Sequence, residues 1–271
     1  MGDGSTSPSK EPTMRHAIRP VLVTTVLGVL LVGSAGIARA ADNGARRASR
    51  DADPHLALTV QQVQMTAVKR SVECGDSCGG GGYPGSAHLT ANQTSQSKNY
   101  FCGPAVVHEA LDALGVSMTQ TAAAAALHTT SDGTSWSGGG TRPSGYPVPD
   151  VLNANQKRNY YVPQPVGSPT SGAISTYEND LVTDIAGVRA PLVGDAWETS
   201  TSDHHLVGHP TDRTIFHWFE IRGYDDSGAT TLYEDSVHGA TSVSWYAGVP
   251  AYSSLPSSWI TSIVGGRGYV W

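Results

Sequence analysis

Apolar positions in "CGPAVVHEALDALG" recur at helical spacing. Val107, Ala110, Leu111 and Leu114 share one stripe, so the pattern predicts a helix opening at Cys102. Pro104 suits the first turn, where its missing N–H would be unbonded anyway, and Gly115 is a natural stop. "TAAAAALH" predicts a second helical patch of small residues that carries no chemistry, and "SDGTSWSGGGTRPSGYPVPD" reads as a loop. "VLNANQKR" is a short helix candidate, and "YENDLVTDIAG" has helical periodicity through Leu181 and Ile185. "NYYVPQPV" and "APLVGDAW" read as strands, followed by the polar loop "ETSTSDHHLVGHPTDRT". "IFHWFEIRGY" and "TTLYEDSV" are two further strands joined around "DDSG", a turn composition. Helices first and antiparallel strands later predict an α+β fold.

The N-terminal pattern differs from the rest. Arg15 and Arg19 precede the apolar run Pro20–Ala38, which ends in "ARA" before Ala41-Asp42, the small-x-small pattern that a signal peptidase reads. Residues 1–40 are therefore expected to be a cleaved signal peptide and the mature protein to be secreted, with Met14 as an alternative start. An uncleaved anchor is the competing reading, since about 20 apolar residues can span a bilayer. Residues 41–85 form an N-terminal leader and linker: a polar, arginine-dotted start, an apolar segment over 56–70 of open type, and the glycine-rich "CGGGGYPGS". The segment over 56–70 is read as a structural element in preference to a pro-segment. The main domain is expected over 86–271.

Composition narrows the partners. Of 271 residues only 15% are charged, and the net charge of −6 provides no basic field for nucleic acid or an anionic membrane surface. After signal cleavage no stable membrane association is expected.

Export changes the meaning of the three cysteines. Cys74 and Cys78, in "ECGDSCGG", are near enough to bridge, which leaves Cys102 as the odd thiol, either intermolecular or reactive. A thiol at a helix N-terminus feels the positive end of the helix dipole and unbonded N–H groups, which favour the thiolate. The plainer alternative is a buried small hydrophobe. Gln96, six residues earlier, is near enough to add an amide donor beside the Cys102 N–H around a developing oxyanion. His217 opens the strand "HWFEIRGY", where a ring can be held rigidly as general base and acid. On the next strand Asp235 falls nearly opposite His217 if "DDSG" closes a hairpin, and a one-residue slip would turn Glu234 inward instead.

Together, "Q-x5-C-G-P-A", "H-x-F-x-I-x-G-Y-D" and "Y-x-D-S" resemble papain-like cysteine peptidases, in the branch related to bacteriocin leader-processing peptidases and its secreted stand-alone members. The resemblance covers roughly residues 86–271, including "HTTSDGTSW" and "VPDVLNA". It implies a papain-like α+β fold in which the Cys-bearing helical part packs on an antiparallel sheet carrying the His and Asp. It also implies Cys102 as nucleophile, His217 as base and acid, Asp235 as orienting carboxylate, and Gln96 in the oxyanion hole. No cofactor or metal is implied, the substrate is a peptide or protein, and a monomer is expected. These 271 residues include no transporter domain, so specificity for a double-glycine leader does not carry over.

Two rival readings use the same residues. One is a thiol enzyme on another acyl bond, a peptidoglycan amidase or endopeptidase or an acyl transferase. The other is a catalytically silent binding module. His204, His205 and His209 in "DHHLVGH" lack zinc-protease order and are read as a polar loop near the site. His108 and His238 are set aside as constrained and as surface, respectively, and Trp197 and Trp218 as core or pocket wall.

Overall fold

The computed structural model describes residues 82–138 and 143–271. The expected signal peptide, the apolar segment over 56–70 and the Cys74/Cys78 pair lie outside the described residues.

The first helix, α1 (Cys102–Ala113), forms where the apolar stripe predicts it and is more deeply buried than a surface helix. Ala105, Val106, Val107, Ala110 and Leu111 are all fully buried, so the helix is enclosed on several sides. It ends in a Schellman motif: the Gly115 N–H donates to Asp112 O and the Val116 N–H to Leu111 O, both at 2.8 Å, with Gly115 at φ +77°. Helices α2 (Gln120–Leu127) and α3 (Pro147–Asn155) pack beside it. The Thr119 hydroxyl caps α2 by accepting the Ala122 N–H at 3.1 Å.

A single antiparallel sheet follows, in the order β2 (Pro163–Pro165), β7 (Gly268–Val270), β3 (Leu192–Glu198), β4 (Ile215–Asp225), β5 (Thr230–Glu234), β6 (Tyr252–Pro256). A short β1 (Ala87–His88) pairs with β4 at Gly223 and Tyr224. Helices α4 (Ser171–Val182), extended by a π-helical turn over Thr183–Val188, and α5 (Ser257–Ile263) complete the fold. Alternation along β4 serves two cores. Trp218 joins Val106, Leu111, Val193 and Val270 in the core around α1. Phe219 and Ile221 join Leu181, Leu192, Ile260 and Tyr269 in the core around α4 and α5. Each such large apolar side chain stabilises the fold by roughly 1.5–3 kcal/mol on burial. No helix among the described residues is long and apolar enough to cross a membrane.

Several boundaries depart from the pattern reading. Helix α3 starts at Pro147 rather than Val151, because Pro147 occupies the first helical position and Asp150 acidifies the first turn. It ends at Asn155, and the Gln156 side chain then accepts the Arg158 and Asn159 N–H groups, taking those donors away from both helix and sheet. The strand expected over 159–166 therefore shrinks to Pro163–Pro165, although Val162 and Trp271 still exchange backbone hydrogen bonds. Strand β5 stops at Glu234 rather than Val237, since the Asp235 N–H turns to Ala251 O. The C-terminal elements β6, α5 and β7 were not predicted by the pattern, and β7 lies inside the sheet between β2 and β3.

Candidate active site

Cys102 is the first residue of α1, directly after the N-cap Phe101, and is 8% exposed. Its thiol and the His217 ring line one cleft, and the ring acts on the sulfur through its hydrogen-bonding and its charge. Burial alone would raise the thiol pKa. The hydrogen bond and charge of His217, with backbone hydrogen bonds from Trp218 and Gly103, bring it below the ordinary value. The helix mouth thus supplies one of these donors and the His217 strand the others.

His217 lies near the start of β4 and is buried. Its Nε2 is 2.9 Å from Asp235 Oδ1, which leaves Nδ1 for the thiol. Burial favours the neutral ring, but the charge and hydrogen bond of Asp235, then of Cys102, hold its pKa well above the usual histidine range. Asp235 lies one residue beyond the β4–β5 ladder, whose last pair is Glu220–Glu234, so it does not pair with His217 in register. The side chain makes the meeting instead. Its Oδ1 also accepts the Val237 N–H at 2.8 Å. Burial pushes this carboxyl up, yet His217 and His209 together hold it far below the usual range. Glu234 is on a different errand: its carboxyl lies with those of Glu109 and Glu220, all within 4.8 Å of one another.

Gln96 is buried beside Asp235's neighbour. Its N–H donates to Ser236 O at 2.8 Å, its Oε1 accepts the Ser236 hydroxyl at 3.2 Å, and its Nε2 donates to Lys98 O at 2.8 Å. The oxygen end of the amide is thereby fixed, and the nitrogen keeps a second proton. Gln96, Cys102 and His217 line one cleft of about 320 Å³, together with Thr134, Trp245 and Arg267. Gly103 is required by close approach: a Cβ there would lie 2.3 Å from Thr134 Oγ1 and 2.5 Å from its Cβ. Thr134 is in turn fixed by Thr129 Oγ1 at 2.7 Å and by the Trp218 Nε1–H on its carbonyl at 3.1 Å. On the far rim, Val237, Ala240, Val243 and Val249 form a small core beneath the β5–β6 connection, which carries Trp245.

The polar histidine loop divides. His204 stacks on Trp259 and His205 bonds to Thr199 O, both away from the thiol, whereas His209 is 6% exposed and lies between Asp235 and Glu198. Sequence reasoning missed Glu198 altogether and took His209 for loop, because nothing in their spacing signals a contact with Asp235. His108 bonds to Met118 O and His238 is exposed. Among the described residues, two groups have the donor types and closeness to surround a cation: His209, His217 and Asp235, and the three glutamates. Two members of the first group, His209 and His217, are hydrogen-bonded to the third, Asp235.

A helix carrying a cysteine, packed on an antiparallel sheet that carries the facing histidine, defines a papain-like α+β protein. The chain belongs to the Peptidase_C39 like family, whose model matches residues 88–260. Among solved structures it is similar to digestive procathepsin L 3 of Tenebrio molitor larval midgut, at 14% identity and a TM-score of 0.41, over 72% of this chain and 71% of that one. No curated protein matches it. Family and architecture together make this a cysteine peptidase-type protein.

Proposed function

We propose that this protein is a secreted cysteine peptidase that hydrolyses peptide bonds of peptides or proteins through Cys102, His217 and Asp235, and works as a monomer. One observation carries the reading. The thiol and the imidazole are buried side by side on one cleft, each shifting the other's pKa, and the imidazole is hydrogen-bonded to the carboxylate behind it. A lowered thiol pKa beside a raised imidazole pKa favours the thiolate–imidazolium pair, and the thiolate is the nucleophile.

The steps follow from that pair. The Cys102 thiolate attacks the scissile carbonyl carbon, and the carbonyl π electrons move onto oxygen. The second Gln96 Nε2 proton and the Cys102 N–H donate to this oxyanion, where charge is greatest in the transition state. As the C–N bond breaks, His217 gives its proton to the leaving amine. Water then attacks the acyl-thioester while His217 takes its proton, and the thiolate leaves. Asp235 holds the ring and stabilises its charged form throughout. The apolar run after Arg15 and Arg19 and its "ARA" site support export.

The test is to incubate the chain from residue 41 onward with a proteome-derived peptide library, beside a Cys102→Ala control. New N-termini only with the unsubstituted protein support the reading. Equal cleavage by both, or none by either, rejects it.

A further inference from the structure

Asp235 has a second imidazole on its other oxygen. His209 Nε2 lies 2.9 Å from Asp235 Oδ2, and His209 Nδ1 lies 2.5 Å from Glu198 Oε2. Glu198 is itself fully buried and accepts the Leu206 N–H on Oε1. Each end of His209 therefore faces a carboxylate, and each carboxylate has a further donor that fixes it. The His209 ring packs edge-on against Trp245 and lies 5.2 Å from the His217 ring, centre to centre.

This is more than loop packing. Glu198 ends β3, His209 sits in the β3–β4 connection, and Asp235 follows β5, so three separate segments meet at one ring. Gly208 makes the bend possible: it has φ +83°, and a Cβ there would lie 2.2 Å from Gly248 O. A neutral imidazole has one N–H and can donate to only one carboxylate, whereas an imidazolium donates to both. The arrangement matches the charged form, and the direction of the His209 pKa agrees. Burial lowers it, but the hydrogen bonds and charges of Asp235 and Glu198 outweigh burial and raise it.

We infer that His209, braced by Glu198, is a positioning residue for the thiol chemistry: it clamps Oδ2 of Asp235 so that Oδ1 stays on His217. The inference rests on the reading of Cys102 and His217 as the reacting pair. From thiol to Glu198 the charges then alternate: thiolate, imidazolium, carboxylate, imidazolium, carboxylate. The titratable groups facing His209 are Glu198, Asp235 and His217. The positive ring holds the Asp235 carboxyl down, and its like charge disfavours a proton on His217 and, one step further, on the Cys102 thiol. Removing it shifts both limbs of the reactive window to higher pH.

Two variants and one variant-free measurement test this. His209→Gln removes the cation, and His209→Gln with Glu198→Gln removes both charges so that neither is left buried alone. The first readout is the rate of Cys102 alkylation by iodoacetamide from pH 3 to 10. The folded variants should show both limbs displaced upward by about half a pH unit or more. On a cleavable peptide, kcat should fall about tenfold or more with KM little changed, as displacement of a reacting group does. A purely structural role would lower Tm and leave the limbs in place. In the unsubstituted protein, ¹⁵N-histidine spectra at pH 7 should show His209 protonated on both ring nitrogens. A neutral His209 ring, or a folded variant whose alkylation profile overlays the parent's, overturns the inference. If the parent's Cys102 reacts no faster than free cysteine at pH 6, it is the peptidase reading that fails.

Discussion

Glu234 and Asp235 are adjacent in the chain, yet the fold holds their carboxyl groups at opposite ends of the titration range. Asp235 sits between two imidazoles and is kept ionised. Glu234 is pushed up to about 7 by burial, with the charge of Asp112 adding to this against the opposing pull of Arg222. Glu220 is raised well above the usual range by burial and by the charges of Glu234 and Glu109, and Glu109 is raised likewise by burial and Glu234. The cluster ties α1 to β4 and β5 immediately behind the site.

The sign of its pH dependence follows. A group whose pKa is higher in the folded than in the unfolded chain stabilises fully below the unfolded value, and that contribution is lost as pH rises through the folded one. The parent should therefore lose stability between the ordinary carboxylate range and about pH 7 and above, as Glu234 ionises beside Glu220. Glu234→Gln should flatten that slope and melt higher than the parent at pH 8. Thermal melts from pH 5 to 9 check this, and parallel curves would exclude it.

The ion pair has its own signature. At pH 6 a free thiol of pKa about 8.5 is ionised to roughly 0.3%. Cys102, with its pKa lowered by His217, should be alkylated far faster than that fraction allows. His217→Ala should remove this advantage below pH 7 while leaving reactivity at pH 10 close to that of an ordinary buried thiol. Rates measured with iodoacetamide on both proteins decide it. Equal rates at pH 6 would separate the imidazole from the sulfur.

The main helix and the long central strand were readable because both have strong period and clear ends: the apolar stripe to Leu114 with Gly115 behind it, and the run from Ile215 to Tyr224. The turn at "DDSG" was readable from composition, and Asp226, Ser227 and Gly228 do take the left-handed conformation it suits. Cys102, His217, Asp235 and Gln96 were picked out by their contexts along the chain; in the structure Gln96, Cys102 and His217 line one cleft, and Asp235 is hydrogen-bonded to His217 behind it. What stayed hidden was non-local. Strand β7 is three residues long and owes its place to partners more than 70 residues away. Glu198 and His209 look like polar loop and strand end, and only tertiary packing buries them. Ending β5 at Glu234 depended on Ala251 accepting the Asp235 N–H, which no local pattern announces.

Gly103 makes a prediction about packing at the nucleophile. Any side chain there collides with Thr134, which has little freedom because Thr129 and Trp218 hold it. Gly103→Ala should force the loop carrying Thr134 away from α1, destabilising by about 1–3 kcal/mol, the usual range for overpacking. Alanine keeps the backbone N–H that Gly103 gives to Cys102, so the alkylation profile should stay close to the parent's while stability falls. Chemical denaturation and the alkylation profile check the two expectations separately. A variant with unchanged stability would mean that the loop yields freely.

Gln96 makes a prediction about the transition state. Its amide oxygen is held by Ser236, and its nitrogen keeps one proton beyond the bond to Lys98. If that proton meets the oxyanion, it matters little in the ground state and much at the barrier. Gln96→Ala should cut kcat by roughly 10² to 10³ with KM within a few-fold, the pattern for an oxyanion donor. Ser236→Ala should act in the same direction but more weakly, because it frees the amide to rotate without removing it. The alkylation rate of Cys102 should be almost unchanged in both, since iodoacetamide builds no oxyanion at a carbonyl under attack. Steady-state kinetics on the best peptide from the library, read beside those alkylation rates, separates the donor role from a general disturbance. A loss of alkylation equal to the loss of kcat would assign Gln96 to the framework around the thiol instead.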